Sequence, residues 1–378
     1  MSPLFLYGLS AVLHCYVGAR LVPDLATPWG VALALLLAAS ALLMPMGMLA
    51  WRFIRGAWAE RVAIAGLFAM GLFSSLLVAT FLRDVVLIAL GVVHTMTPLL
   101  FSYERLASVS AGVVPVAAIA VTAIGLWNAR RIARIVEVDV PIAGLPGALD
   151  GFTIAQISDV HVGPTIRRNY VEGIVDAVNA LEADLIAITG DLVDGSVPQL
   201  REHVAPLANL RAKHGRFFVT GNHEYYAGAL PWMEELERLG IRVLHNEHVV
   251  LDHGAARLVV AGVPDYSAGH FHPAHASDPA AALAGAPPDA RARILLAHQP
   301  RTAPAAAKAG FDLQLSGHTH GGQFWPWNHF VRFQQPFTAG LNRMDGLWVY
   351  VSRGTGYWGP PKRFGAPSEI TKLRLKPA

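Results

Sequence analysis

Ile186-Ala187-Ile188-Thr189-Gly190-Asp191 is an apolar run closed by a glycine and a single carboxylate. A short apolar run ending in turn residues reads as a buried strand. The glycine permits close approach of neighbouring backbone, and the carboxylate behind it stands at a strand end, where rigid support is best. Four other polar blocks, between residues 159 and 320, also follow apolar runs directly. They are Asp159-Val160-His161, Gly221-Asn222-His223-Glu224, Ala297-His298 and Gly317-His318-Thr319-His320. Strand-like runs cover 152–158, 185–189 and 217–220, with helical stretches near 168–182 and 199–213 between them. Alternation at that spacing argues for βαβ units. Further short β-rich runs lie at 249–251, 257–261, 294–297, 313–315, 348–352 and 370–375, while the Ala/Pro-rich stretch 276–290 reads as a loop.

The blocks carry two Asp, one Asn and four His in positions to act as ligands, a set suited to two metal ions that share a carboxylate. Asp159 and His161 are two apart, so in a turn after a strand both can face one ion. Asp191 can bridge two cations, Asn222 offers a neutral carbonyl oxygen, and His298, His318 and His320 offer imidazoles. Mixed N/O ligation suits Zn, Mn or Fe, and four imidazoles disfavour Mg. Taken singly, each block is an ordinary turn; all five in order after five strand-like runs describe a dinuclear centre. Such a centre binds and cleaves phosphate esters.

The first third of the chain has a different character. The 378 residues are 53% hydrophobic and 15% charged, with a mean hydropathy of +0.39. Before Trp127 the only formally charged side chains are Arg20, Asp24, Arg52, Arg55, Glu60, Arg61, Arg83, Asp84, Glu104 and Arg105. The runs between them approach the roughly 20 residues that a membrane-spanning helix needs. Five spans can be drawn, at 3–22, 29–51, 62–82, 85–101 and 109–128, with Arg83-Asp84 as a tight hairpin between the third and fourth. The second has Trp29 and Trp51 at its ends, where interfacial anchors belong. His14 and His94 fall inside spans and are expected to face neighbouring helices or the interface. Arg52, Arg55 and Arg61 argue for one orientation and Arg130, Arg131 and Arg134 for the opposite one. The segment from Arg130 to Ile135 is expected to lie along the headgroups as part of a connector. The single cysteine, Cys15, offers no disulfide framework. The first run has no positive leader, so no cleavable signal is expected. A formal charge of +3 without a basic stripe argues against a nucleic-acid partner.

Ile157-Ser158-Asp159-Val160-His161-Val162-Gly163, His298-Gln299-Pro300, Ser316-Gly317-His318-Thr319-His320-Gly321-Gly322-Gln323, Gly354-Thr355-Gly356 and Glu369-Ile370 are motifs over which residues 150–378 resemble the calcineurin-like metallophosphoesterase superfamily. Within it the chain looks like the membrane-attached bacterial branch, and its spans resemble those of transmembrane metallophosphoesterase-domain proteins. The resemblance implies an α/β domain folded as a four-layer α/β/β/α sandwich behind an N-terminal α-helical, polytopic membrane domain. It implies one metal held by Asp159, His161, Asp191 and His320, and a second by Asp191, Asn222, His298 and His318. His223 would then be no ligand; it would contact the phosphoryl oxygens or protonate the leaving group. Glu224 stands where Asp is frequent, which leaves that ligand set intact.

These readings divide the chain into a membrane domain at 1–128, a juxtamembrane connector at 129–150 and a metallophosphoesterase domain at 151–378. They point to a multi-pass protein of the bacterial inner (plasma) membrane that uses two divalent ions to hydrolyse a phosphate ester or pyrophosphate, with a lipid-linked substrate suggested by the tether. The alternatives are a phosphodiesterase for a soluble nucleotide or cell-envelope substrate, and a non-catalytic metal-binding sensor. Among the other residues, Asp194 reads as a cap or as support for Asp191, and His270, His272 and His275 as a solvated or substrate-facing loop. Phe324-Trp325-Pro326-Trp327, with Tyr357, Trp358 and Arg363, reads either as a packed loop or as a wall that meets lipid.

Overall fold

The computed structural model describes residues 2–54, 56–97 and 101–378. Arg55, the side chain of Trp51 and the end of the fourth expected span at 98–100 lie outside the described residues. The chain divides into two compact units, Met1–Asn128 with Gly359–Lys362, and Ala129–Trp358 with Arg363–Ala378.

The described residues of the first unit form four helices, α1 (Pro3–Leu21), α2 (Thr27–Phe53), α3 (Ala57–Met96) and α4 (Tyr103–Arg130). Each is long and apolar enough to cross a membrane. Five spans were expected; the third and fourth are instead one continuous helix, with Arg83 and Asp84 inside α3. The charges do not force a turn because they are satisfied sideways. Arg83 pairs with Asp24 and donates to Ser110 Oγ, Arg20 O and Ala107 O, each at 2.9 Å. Asp84 accepts from Arg20 Nε at 2.9 Å and from Tyr16 Oη at 2.8 Å. A charge paired within a bundle has no need to break its helix to reach water. At 40 residues, α3 is about 60 Å long, some twice the thickness of a bilayer's hydrocarbon core. His14 faces helix neighbours, as expected: its ring stacks on Phe73 at 3.6 Å and contacts Ser40 Oγ at 3.0 Å.

The second unit begins inside the expected connector. Strand β1 (Arg134–Ile142) follows α4 after a link of three residues and pairs in parallel along its whole length with the last strand, β12 (Glu369–Pro377). Arg134 and Ile135 are therefore part of a sheet, not of a headgroup-lying segment. The alternation Ile135-Val136-Glu137-Val138-Asp139-Val140 has the period of a strand, and Glu137 and Asp139 both meet Arg374 of β12.

The remaining strands are β2 (Thr153–Ile157), β3 (Leu185–Ile188), β4 (Arg216–Phe218), β5 (Arg242–Val243), β6 (Glu247–His253), β7 (Ala256–Gly262), β8 (Arg293–Leu296), β9 (Leu313–Ser316), β10 (Gly340–Met344) and β11 (Leu347–Val351). They form two six-stranded sheets, ordered β1-β12-β2-β3-β4-β5 and β10-β11-β9-β8-β7-β6. Strands β2 to β5 run parallel in the first, and β11, β9, β8 and β7 in the second.

Side-chain alternation explains the layering. On β3, Leu185 and Ala187 face the core between the sheets, where Ile294, Leu296 and Leu315 meet them. Ile186 and Ile188 face the opposite way, toward α5 (Arg168–Asn179), α6 (Val197–Val204) and α8 (Ala229–Arg238). On β8, Leu295 likewise turns outward to α9 (Pro279–Leu283), which lies within the expected 276–290 loop, and to α10 (Ala303–Ala309). Strands buried on both faces need continuous apolar sequence, which is what 185–188 and 294–296 supply. The result is a four-layer α/β/β/α sandwich.

Leu185 is fully buried between the sheets. Leu185→Ala is expected to lower the unfolding free energy of the sandwich by about 2–5 kcal/mol, read by denaturant unfolding of the detergent-solubilised protein; an unchanged transition would contradict this packing.

Candidate metal centre

The polar blocks converge at the carboxyl ends of the parallel strands. Asp159 and His161 follow β2, Asp191 follows β3, His298 follows β8, and His318 and His320 follow β9. Asn222 and His223 open α7 (Asn222–Ala227) after β4. Five of these residues have left-handed backbone: Asp159 (φ 53°), His161 (54°), Asp191 (51°), His318 (70°) and His320 (53°). Non-glycine residues held so cost about 1–3 kcal/mol each and concentrate at functional sites. Glycines let the turns close on one another. A Cβ on Gly221 would lie 2.2 Å from Asp191 Oδ1, and one on Gly317 would lie 2.1 Å from Asp159 Oδ2.

Two imidazole pairs face each other nitrogen to nitrogen. His161 Nε2 lies 3.0 Å from His320 Nε2, and His298 Nε2 lies 3.2 Å from His318 Nδ1. Between the pairs stands Asp191, whose Oδ2 is 3.1 Å from His298 Nε2 and 3.9 Å from His161 Nε2. Asp159 Oδ1 is 3.4 Å from His320 Nε2 and accepts from His318 N at 2.9 Å. Asp159, His161 and His320 thus form one group with metal-ligand spacing, and Asp191, His298 and His318 another.

The donor chemistry fits cations. Asn222 Oδ1 is buried without a hydrogen-bond partner among the described residues, an unfavourable state that a metal would relieve. His298 Nδ1 lies 2.7 Å from Thr189 O, which can only accept, so Nδ1 donates and Nε2 is left facing the site. Burial disfavours a charged His298, yet Asp191 and Asp159 outweigh it and hold the imidazole well above its ordinary pKa. Burial also opposes ionisation of Asp191, but His298, His223 and His161 keep its carboxyl well below the usual range. The extra proton on His298 points at Asp191, along the line a cation would take. His320 is instead kept neutral, held well below its ordinary pKa by burial and by Arg363, whose Nη2 lies 3.1 Å from its Nδ1. His318 is kept neutral, pulled down to about 3 by burial and by His298.

His223 joins neither group but stands beside both, with Nε2 4.0 Å from Asp191 Oδ2. Its Nδ1 meets Asp194 Oδ1 at 2.7 Å, and the same oxygen lies 2.9 Å from His161 Nδ1. Among the described residues Asp194 caps no helix; it orients two imidazoles that stand beside Asp191, at 3.9 and 4.0 Å from its Oδ2. Burial lowers the His223 pKa, but the Asp194 hydrogen bond and the charges of Asp191 and Asp194 raise it to about 9. Exposed Tyr226 and Trp358 border it, with ring centroids at 5.2 and 5.9 Å.

The calcineurin-like phosphoesterase family model matches residues 152–322. A metallophosphoesterase of Aquifex aeolicus is 34% identical over 225 residues, covering 59% of this chain and 84% of that protein. The chain belongs to the calcineurin-like phosphoesterase family. A Bos taurus transmembrane protein with metallophosphoesterase domain is 42% identical over 266 residues, covering 68% of this chain and 60% of that protein. A metallophosphoesterase of Helicobacter pylori is 42% identical over 226 residues, covering 59% and 60%. The chain spans about 60% of the length of these last two relatives.

Glu224 is a residue of this site whose part was missed. Its buried carboxylate accepts from the backbone N–H groups of Asp191 (2.9 Å), Leu192 (2.7 Å) and Gly221 (2.6 Å), tying together the turns that carry Asp191 and Asn222. Burial and the nearby Asp191 push its carboxyl up to about 7. A sequence sign existed: Glu224 is the third residue after the helix-opening Gly221, the position from which a side chain reaches back to cap.

Other expectations separate. Trp325, Trp327, Phe330 and Phe333 are exposed, with Arg332 stacked on Phe333 at 5.2 Å. Tyr357 and Arg363 are buried and belong to no exposed wall; Arg363 donates to His320 O at 2.8 Å. His272 and His275 gather with His245 and Tyr225. His270 lines a cavity of about 260 Å³ with Tyr266 and Arg301.

Because Asn222 Oδ1 is buried and unpaired, Asn222→Ala should leave the metal-free protein no less stable, while metal affinity falls about 10–100-fold, the scale seen when ligand shells are disturbed. Thermal unfolding with and without Mn reads both effects; a variant destabilised without metal and equally stabilised by it would refute the assignment.

Proposed function

We propose that this chain is a membrane-anchored, metal-dependent phosphoesterase with two divalent ions bridged by Asp191. The ions would be held by Asp159, His161, Asp191 and His320, and by Asp191, Asn222, His298 and His318. The observation that carries the reading is that one oxygen, Asp191 Oδ2, faces an imidazole of each group, at 3.1 and 3.9 Å. The mixture of imidazole, carboxylate and amide donors favours Mn, Zn or Fe. When bound, such ions supply Lewis-acid charge to a phosphoryl group and an acidified water.

The chain's own residues supply the rest. Asp191 and Asp159 set the spacing of the two groups. Protonated His223, oriented by Asp194, stands beside the centre with a proton to give a leaving oxygen. Cations at Asp191 would pull its pKa from about 9 back toward neutrality, where a general acid works best. Tyr226 and Trp358 shield one side of that imidazole.

The substrate is a phosphate ester or pyrophosphate, and we favour a lipid-linked one at a bacterial plasma membrane. Three residues join α4 to β1, at most about 10 Å of extended chain. The exposed Trp325, Trp327, Phe330 and Phe333 with Arg332 have the composition of an interfacial segment.

Purified protein with Mn or Zn, assayed on bis-p-nitrophenyl phosphate, the monoester and lipid pyrophosphate in vesicles beside Asp191→Ala, tests the reading. Hydrolysis is expected only with metal, fastest on the lipid, and lost in the variant. Faster turnover of soluble diesters would replace the lipid substrate with a soluble one. Absence of metal-dependent turnover on all three would leave a binding domain, not an enzyme.

A further inference from the structure

The pairing of imidazole nitrogens recurs once more, far from the centre described above. His214 Nε2 lies 2.9 Å from His253 Nδ1, a separation close to the 3.0 and 3.2 Å of the two pairs flanking Asp191. Asp184 completes a group whose ligand atoms all lie within 4.8 Å of one another. We infer that Asp184, His214 and His253 form an additional, non-catalytic site for a divalent transition-metal ion.

The three donors come from separate elements, and their placement is defined. Asp184 immediately precedes β3 and His214 lies two residues before β4, whereas Asp191 and Asn222 follow those same strands. A four-residue strand is about 13 Å long, so the two sites occupy opposite ends of the sheet. His253 closes β6, in the other sheet. An ion held by all three would clip the two sheets together at the end opposite Asp191.

The side chains are pre-positioned for this. Asp184 Oδ2 accepts from Thr153 N and Thr153 Oγ1, both at 2.9 Å, which fixes the carboxylate and leaves Oδ1 available. His214 N donates to Asp184 O at 2.8 Å, locking the two segments in register. Phe152 packs against both imidazoles, with centroids at 5.7 and 5.1 Å, and limits their rotation. Two nitrogens each about 2.0–2.1 Å from a tetrahedral ion stand about 3.3 Å apart, so the observed pair needs to open by only a few tenths of an ångström. Two imidazoles and one carboxylate, with a fourth position for water, suit Zn, Co or Ni over Mg or Ca. Half-burial of all three residues leaves an entry path.

The test compares wild type with His253→Ala, His214→Ala and Asp184→Asn; the last keeps an acceptor for Thr153 and so preserves the local fold. Each is equilibrated with zinc, desalted and analysed for metal per chain, with thermal unfolding measured with and without zinc. Each variant should hold one zinc fewer than wild type, whatever number the Asp191 centre retains. Its zinc-dependent rise in unfolding temperature should shrink, and Mn-dependent hydrolysis should stay within twofold of wild type. Equal zinc content in wild type and all three variants would overturn the site and leave a neutral imidazole–imidazole hydrogen bond in its place. Because the readout is a difference in zinc content, it stands or falls separately from the catalytic proposal.

Discussion

A carboxylate shut away from water has to be matched by positive charge from within the protein, and Asp191 is almost wholly buried between two pairs of imidazoles. Burial disfavours a charged His298, yet Asp191 and Asp159 hold that imidazole well above its ordinary pKa. Divalent charge at the candidate ligands would answer the same field. Much of the domain's local geometry follows from this concentration of charge. Left-handed turns bring the candidate ligands inward, Glu224 ties two of the turns together, and Asp194 aims two imidazoles at once.

The sandwich meets this need through its topology. Parallel strands present their carboxyl ends on one side, and the two sheets bring β2 and β3 opposite β8 and β9. Asp159 and Asp191 then come from one sheet, and His298, His318 and His320 from the other. Gln156, buried on β2, donates to Thr189 Oγ1 and to Ser316 O, both at 2.9 Å. It links the sheets directly beneath the centre. Separation of the sheets by even an ångström would part the two halves of each candidate ligand group, so packing between Leu185, Ile294 and Leu296 is also a condition of the proposed metal binding.

What was legible in the sequence was local. Apolar runs ending in polar blocks marked the strands and the seven candidate ligands, and their order was enough to suggest the family. What was hidden depends on partners distant in the chain. The hairpin expected at Arg83-Asp84 is absent because Asp24 and Arg20, some sixty residues earlier, neutralise those charges within the bundle. Strand β1 was taken for connector because its partner, β12, is at the far end of the chain. Asp194 carries no mark of the imidazoles it meets, and His214 finds His253 only once the sheets have packed. The left-handed turns were invisible because aspartate and histidine, unlike glycine, do not announce such a conformation.

The central claim is that one carboxylate serves two ions, and magnetic resonance of the Mn-loaded protein addresses it directly. Two Mn ions sharing Asp191 should be exchange-coupled and give a multiline spectrum at two equivalents, which Asp191→Ala converts to that of isolated ions. A wild-type spectrum of uncoupled Mn at every loading would contradict the shared centre.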